Sequence, residues 1–175
     1  SKFPVVVKDS PGFVVNRILM PYLITAAKQY ETGAVPSVID KATVKWGMPM
    51  GPFRLMDEIG LDVCLHVAKD LKERLGFDIP DILSDMVQKG ELGKKTGKGF
   101  YTYKNGRSIK SKSSDKVQDT TDYITELTAS MMVEASKVLE EQIIYNKDDI
   151  DFAMIMGTGF APFKGGPLKY KEQIL

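Results

Sequence analysis

Cysteine, histidine and tryptophan each occur once, as Cys64, His66 and Trp46. A single cysteine allows no disulfide within the chain and no thiolate-rich metal centre. It fits a reducing compartment without requiring one. An excess of charge of either sign is lacking too: 24 Lys and Arg stand against 23 Asp and Glu, a net of +1. That balance argues against a dedicated nucleic-acid or membrane-surface binder. Nor is there a long apolar run. The most hydrophobic stretch, Phe13 to Ala27, is broken by Asn16, Arg17 and Pro21, so no membrane span is expected. The opening Ser1 to Lys8 is short and ends in charge, which does not read as a secretory signal.

What is present suffices for a core. At 175 residues, 43% of them hydrophobic, the chain suits one medium domain or two small ones. It opens on Ser rather than Met and reads like the middle of a protein, so a piece of something longer is expected. Phe3 to Val7 is a β-branched run of the kind that forms a buried parallel strand. Such a strand needs neighbours, and the rest of the chain offers almost none. The expectation is a last strand left from an upstream sheet.

Helical patterns follow. Asp9-Ser10-Pro11-Gly12 supplies capping residues, with Pro11 at a first helical position. The helix it opens is apolar around most of its circumference, should kink near Pro21, and ends at Gly33. Ser37 to Asp40 has the spacing of a capping box and predicts a second helix to Trp46. Pro52 opens a third, whose apolar residues run from Phe53 to Leu71 at near-helical spacing, and Asp81 to Lys89 makes a fourth. Phe100 to Tyr103 is extended and aromatic, a segment suited to packing back across helices.

Lys104 to Asp119 is rich in Lys, Ser and Asp and reads as a linker, followed by a helix over Tyr123 to Gln142. Beyond it the chain repeats itself. Ile39-Asp40 is matched by Ile150-Asp151, and Pro52-Phe53 by Pro162-Phe163. Each Ile-Asp pair follows a long helix, and each Pro-Phe pair follows a Gly/Met-rich loop. A duplication is expected: one complete helical unit, a linker, and a second unit that stops early, able to pack face to face with the first.

Three features invite a functional reading. Leu92-Gly93-Lys94-Lys95-Thr96-Gly97-Lys98-Gly99-Phe100-Tyr101 suggests a phosphate loop, but Leu92 stands where Gly is required and Gly99 where Ser or Thr is, and no strand precedes or helix follows it. A glycine-permitted turn that delivers Phe100 and Tyr101 to a groove fits better. His66 has Asp62 and Asp70 four residues to either side, a solvated charge stripe rather than a metal set lacking a second His or Cys. Asn16 is the one neutral amide in an apolar helix segment, near the helix start. It suits a hydrogen bond to a substrate oxygen, and equally a bond to backbone at the junction. The residues alone leave both readings standing.

Asp9-Ser10-Pro11-Gly12-Phe13-Val14-Val15-Asn16-Arg17 resembles the 3-hydroxyacyl-CoA dehydrogenase family where its chain enters the C-terminal domain. The resemblance continues through Gly47-Met48-Pro49-Met50-Gly51-Pro52-Phe53, Asp57-Glu58-Ile59-Gly60-Leu61-Asp62 and Lys95-Thr96-Gly97-Lys98-Gly99-Phe100-Tyr101. Gly157-Thr158-Gly159-Phe160-Ala161-Pro162-Phe163 and Gly165-Gly166-Pro167 look like the second C-terminal domain of the multifunctional α-subunits, which join an enoyl-CoA hydratase to the dehydrogenase.

The resemblance implies an all-α helical bundle of the 6-phosphogluconate-dehydrogenase C-terminal-like type. Its parts would be the end of an upstream Rossmann domain (1–8), a first helical unit (9–103), a linker (104–121) and a second, incomplete unit (122–175). It implies L-3-hydroxyacyl-CoA oxidation by NAD in fatty-acid β-oxidation, with Asn16 at the 3-oxygen of the acyl-CoA. The NAD site and a His–Glu catalytic pair belong upstream, so this chain is expected to hold no cofactor or metal and to be inert alone. Implied partners are that Rossmann domain, an enoyl-CoA hydratase domain, a thiolase β-subunit and a second copy of the chain. The implied location is the bacterial cytoplasm, or the mitochondrion or peroxisome of a eukaryote. The competing reading is a non-enzymatic helical module for dimerisation or acyl-CoA binding.

Overall fold

The computed structural model describes residues 4–109 and 119–174. Among these residues the fold is carried by α1 (Val15–Glu31), α2 (Pro36–Trp46), α3 (Pro52–Ile59), α4 (Leu61–Leu75), α5 (Asp81–Gln88), α6 (Thr121–Glu140), α7 (Lys147–Thr158) and α8 (Pro167–Ile174). Among the described residues the strands are β1 (Tyr103–Lys104) and β2 (Arg107–Ser108), a two-residue antiparallel hairpin. The expected all-α architecture is present. Of the segment Phe3 to Val7, Phe3 lies outside the described residues, and residues 4–8 pair as a strand with no other described residue. Lys8 N donates to Ile143 O at 2.9 Å, a backbone tie to the body. A parallel strand exists only beside another, and the neighbours expected for this one belong to an upstream sheet.

Several helix boundaries moved for identifiable reasons. The first helix begins at Val15, because Gly12 (φ +70°) and Phe13 (φ +50°) are left-handed and cannot sit in a right-handed helix. The predicted capping box is absent: Pro36 opens α2 behind Val35, and Asp40 turns to the next helix instead. The single third helix is two, broken at Gly60 (φ +102°), where Leu61 N bonds Leu92 O at 3.2 Å. Asn105 and Gly106, both at positive φ, make the tight turn of the hairpin. That hairpin crosses the boundary expected after residue 103, and residues 110–118 of the predicted linker lie outside the described residues. Thr121 starts α6, its N–H accepted by Asp119 Oδ1 at 2.9 Å.

The core runs through both units. α1 packs most extensively on α6, so Ile18, Tyr22 and Ala26 share one cluster with Leu127, Met131 and Ala135. Burial of each Leu or Ile there contributes about 1.5–3 kcal/mol, which holds the two units as one body. The apolar girdle predicted for the first helix is explained by this: α3, α4, α5, α6 and α7 all touch it.

The duplication is visible as a repeated piece of chemistry. Asp40 accepts Phe53 N at 3.0 Å and Arg54 N at 2.9 Å, capping α3. Asp151 accepts Leu168 N at 2.7 Å and Lys169 N at 2.9 Å, capping α8. A glycine precedes the proline in both: a Cβ at Gly51 would collide with Asp40, and one at Gly166 with Asp151. The partner of Pro52-Phe53 is therefore Pro167-Leu168. The Pro162-Phe163 pair matched in the sequence is instead a short 3-10 turn, Pro162–Lys164.

Candidate functional site

The cleft of interest lies where the turn before α1 meets α7. It has a volume of about 410 Å³ and is lined by Val5 and Val7 from the leading segment, Phe13, Val15 and Asn16 from the first unit, and Phe152, Ala153, Met156 and Gly157 from the second. Asn16 is exposed on the first turn of α1, and its side chain bonds no other described residue. No described backbone group takes up the amide, and Asn16 lines the cleft. The amide is free to face a ligand, beside a wall of apolar side chains.

What fixes this turn is the next residue. Arg17 is 1% exposed, and its Nε donates to Glu134 Oε1 at 2.8 Å, with Glu134 itself 2% exposed. Its Nη1 and Nη2 donate to the two oxygens of Glu141 at 2.7 and 2.8 Å, and Nη1 reaches Ser10 Oγ at 3.4 Å. These bonds raise the Arg17 pKa further, Glu141 foremost, against the opposing cost of burial. Arg17 in return holds the Glu141 carboxyl below its usual range. Both carboxylates come from α6 and its end, so the second unit clamps the helix start that presents Asn16. Sequence reasoning passed over Arg17. The signal was available, since a lone Arg in an apolar girdle must be paired.

The glycine-rich segment has a different use. Asp57 is buried and accepts Phe100 N at 2.9 Å, Tyr101 N at 2.9 Å and Tyr103 Oη at 2.8 Å. Gly99 packs so close that a Cβ would strike the Asp57 carboxylate. These amides are spent on protein, not on a phosphate. Phe100 stands edge-on to Phe53 (4.9 Å) and Tyr30 (5.2 Å), the delivery of aromatics to a groove that the sequence suggested. Tyr101 Oη donates to Asp40 at 2.7 Å. Burial pushes the Asp57 carboxyl up and that of Asp40 up to about 6, the hydrogen bonds opposing.

His66 is exposed, and Asp62 pairs with Lys95 rather than with it. Among the described residues no three His, Cys, Asp or Glu side chains gather to hold a metal ion, and no helix is long and apolar enough to cross a membrane. Across the repeat, Lys164 Nζ lies 4.7 Å from the Trp46 ring and 4.5 Å from that of Tyr170, a cation–π contact that joins the units.

Residues 12–103 match the family model described as 3-hydroxyacyl-CoA dehydrogenase, C-terminal domain. The chain is similar to the fatty acid oxidation complex subunit alpha of Idiomarina loihiensis, 40% identical over 98% of this chain and 26% of that protein. The namesake from Vibrio campbellii is 38% identical over the same shares. The chain thus spans about a quarter of the length of these relatives. Among solved structures, the dehydrogenase part of multifunctional enzyme 1 from C. elegans is 30% identical, with a TM-score of 0.67 over 91% of this chain and 39% of that one. A 3-hydroxybutyryl-CoA dehydrogenase from Escherichia coli K12 has a TM-score of 0.78 over 99% of this chain and 55% of that one, at 23% identity, a likeness of fold.

Proposed function

The chain belongs to the family of 3-hydroxyacyl-CoA dehydrogenase C-terminal domains, and from that premise we propose that it supplies the acyl-CoA-binding part of an L-3-hydroxyacyl-CoA dehydrogenase of fatty-acid oxidation. The observation that carries the reading is Asn16: an unspent amide at the rim of an apolar cleft, on a helix start pinned by Arg17.

The chemistry suits that geometry. When a 3-hydroxyl becomes a 3-ketone, its oxygen loses its own proton and gains negative character on the way. An amide N–H aimed at that oxygen is worth more in the transition state than in the ground state, which is what acceleration requires. The apolar wall excludes water and accepts the methylene chain.

In this reading NAD is held outside this chain. The glycine-rich loop 93–99 turns its neighbouring amides onto Asp57, and no strand–loop–helix unit is present among the described residues. The hydride acceptor and the proton-abstracting base belong, in this reading, to an upstream Rossmann domain, so this chain alone gives no turnover. The relatives' printed name, subunit alpha of a fatty acid oxidation complex, supports a hydratase domain and a thiolase subunit as further partners. Their bacterial source supports the cytoplasm as location. The close internal packing of α1 on α6 supports pairing of the two units within the chain rather than with a second copy.

The test is steady-state oxidation of an L-3-hydroxyacyl-CoA by the full-length protein. Asn16→Ala should lower kcat/KM by about a hundredfold, the usual loss for one such donor. Unchanged kinetics would remove Asn16 from the site.

A further inference from the structure

The cleft at Asn16 has a counterpart across the repeat, and the two have diverged. The counterpart lies where α2 meets the start of α6, with the same volume of about 410 Å³. The paired Asp40 and Asp151 set the register between α2 and α7. In that register Ala42 matches Ala153, Lys45 matches Met156, and Trp46 matches Gly157, and all six residues line their respective clefts. One wall carries a cation and an indole. The other carries a thioether and no side chain at all.

Each difference has a geometric consequence. A Cβ at Gly157 would sit 3.0 Å from both Val15 methyls, so the glycine lets α7 close upon α1 at the cleft. Trp46 at the matching place is turned into the aromatic cluster of Phe160 and Tyr170, at 5.4 and 5.2 Å. Met156 is 63% exposed and Phe152 is 37% exposed, both on the wall facing Asn16. Large apolar side chains held at the surface of a cleft are suited to an apolar ligand, and methionine adapts to a chain of changing length.

We infer that α7 of the second unit is the wall of the acyl-chain site, and that Met156 and Phe152 set its preference for chain length. The inference rests on the dehydrogenase reading above and deepens it. The occupant is the methylene tail of the acyl-CoA: an oxygen-bearing carbon at Asn16 places the tail against the apolar wall. The second unit then does more than pack. It supplies specificity to a site whose amide the first unit supplies.

The experiment measures kcat/KM of the full-length protein for L-3-hydroxybutyryl-CoA and L-3-hydroxyhexadecanoyl-CoA. Met156→Trp should lower the long-to-short ratio about tenfold, the loss of roughly two methylenes of burial. Met156→Gln keeps the side-chain length, guards against misfolding of the larger variant, and should shift the ratio the same way. A ratio unchanged in both variants overturns the inference. An equal fall for both substrates overturns it too, and makes the wall a docking face for another domain. No oxidation of either substrate by the unaltered protein removes the dehydrogenase reading itself.

Discussion

Arg17 and Glu134, one from each helical unit, form a buried ion pair with Nε and Oε1 2.8 Å apart. Neither is more than 2% exposed. Such a pair adds little net stability compared with an apolar substitute, but each partner alone in the core is costly. The pair therefore specifies which faces of the two units meet, and the turn that carries Asn16 is set by that meeting.

Removing one partner should show this asymmetry. Glu134→Ala is expected to destabilise the protein by about 2–3 kcal/mol, since it leaves Nε of a buried guanidinium unpaired while Glu141 still holds the other two nitrogens. Glu141 is 47% exposed, and Glu141→Gln should cost about 1 kcal/mol or less. Urea unfolding of both variants and of a double Arg17→Leu, Glu134→Leu variant checks the scheme. A double variant less stable than Glu134→Ala would contradict it.

Asp40 makes stability depend on pH. Its carboxyl is raised from 3.8 to about 6, chiefly by burial. A raised folded-state pKa means that the folded protein holds the proton more tightly than the unfolded one. The resulting stabilisation is full below about pH 3.8 and is lost as pH rises through about 6. Relative to Asp40→Asn, the unaltered protein should gain up to about 3 kcal/mol between pH 7 and pH 4. Unfolding curves of both proteins across that range decide it, and a constant difference would show that Asp40 titrates normally.

The glycines beside the two capping aspartates should be intolerant. Gly51→Ala and Gly166→Ala each drive a Cβ into the aspartate that caps the next helix, with an expected cost of about 1–3 kcal/mol from overpacking. Gly166 adds the strain of φ +103°. Gly33 also has positive φ but nothing near its Cβ position, so Gly33→Ala should cost only the conformational strain, about 1–2 kcal/mol. Thermal midpoints that rank Gly33→Ala below Gly166→Ala would count against the capping account.

Asn16→Ala should leave stability within about 0.5 kcal/mol, as for an exposed residue away from structural features. Its amide makes no bond to another described residue and lies at the cleft. A drop in thermal midpoint comparable to that of Glu134→Ala would make Asn16 a structural residue.

The helical course of the chain was legible wherever apolar residues recur at helical spacing or a proline opens a helix. That is why α2, α5 and α6 sit close to their expected spans. The breaks were less legible. Nothing in the run from Pro52 to Leu71 marks Gly60 as a stop, because glycine is tolerated within helices and only its φ of +102° ends this one. The repeat was visible in Ile-Asp, yet its second anchor was misassigned. Pro162-Phe163 has the right letters, while Pro167-Leu168 has the hydrogen bonds from Asp151.

Sequence by itself determined the helices, the duplication, the family resemblance and the singular amide at Asn16, because these reside in local spacing and short motifs. Tertiary structure alone decided what the amide faces. The wall of the cleft comes from Phe152 and Met156, and the clamp on Arg17 from Glu134, all more than a hundred residues away along the chain. Local periodicity carries no record of which distant side chains will meet. Only the burial of α1 against α6 brings them together.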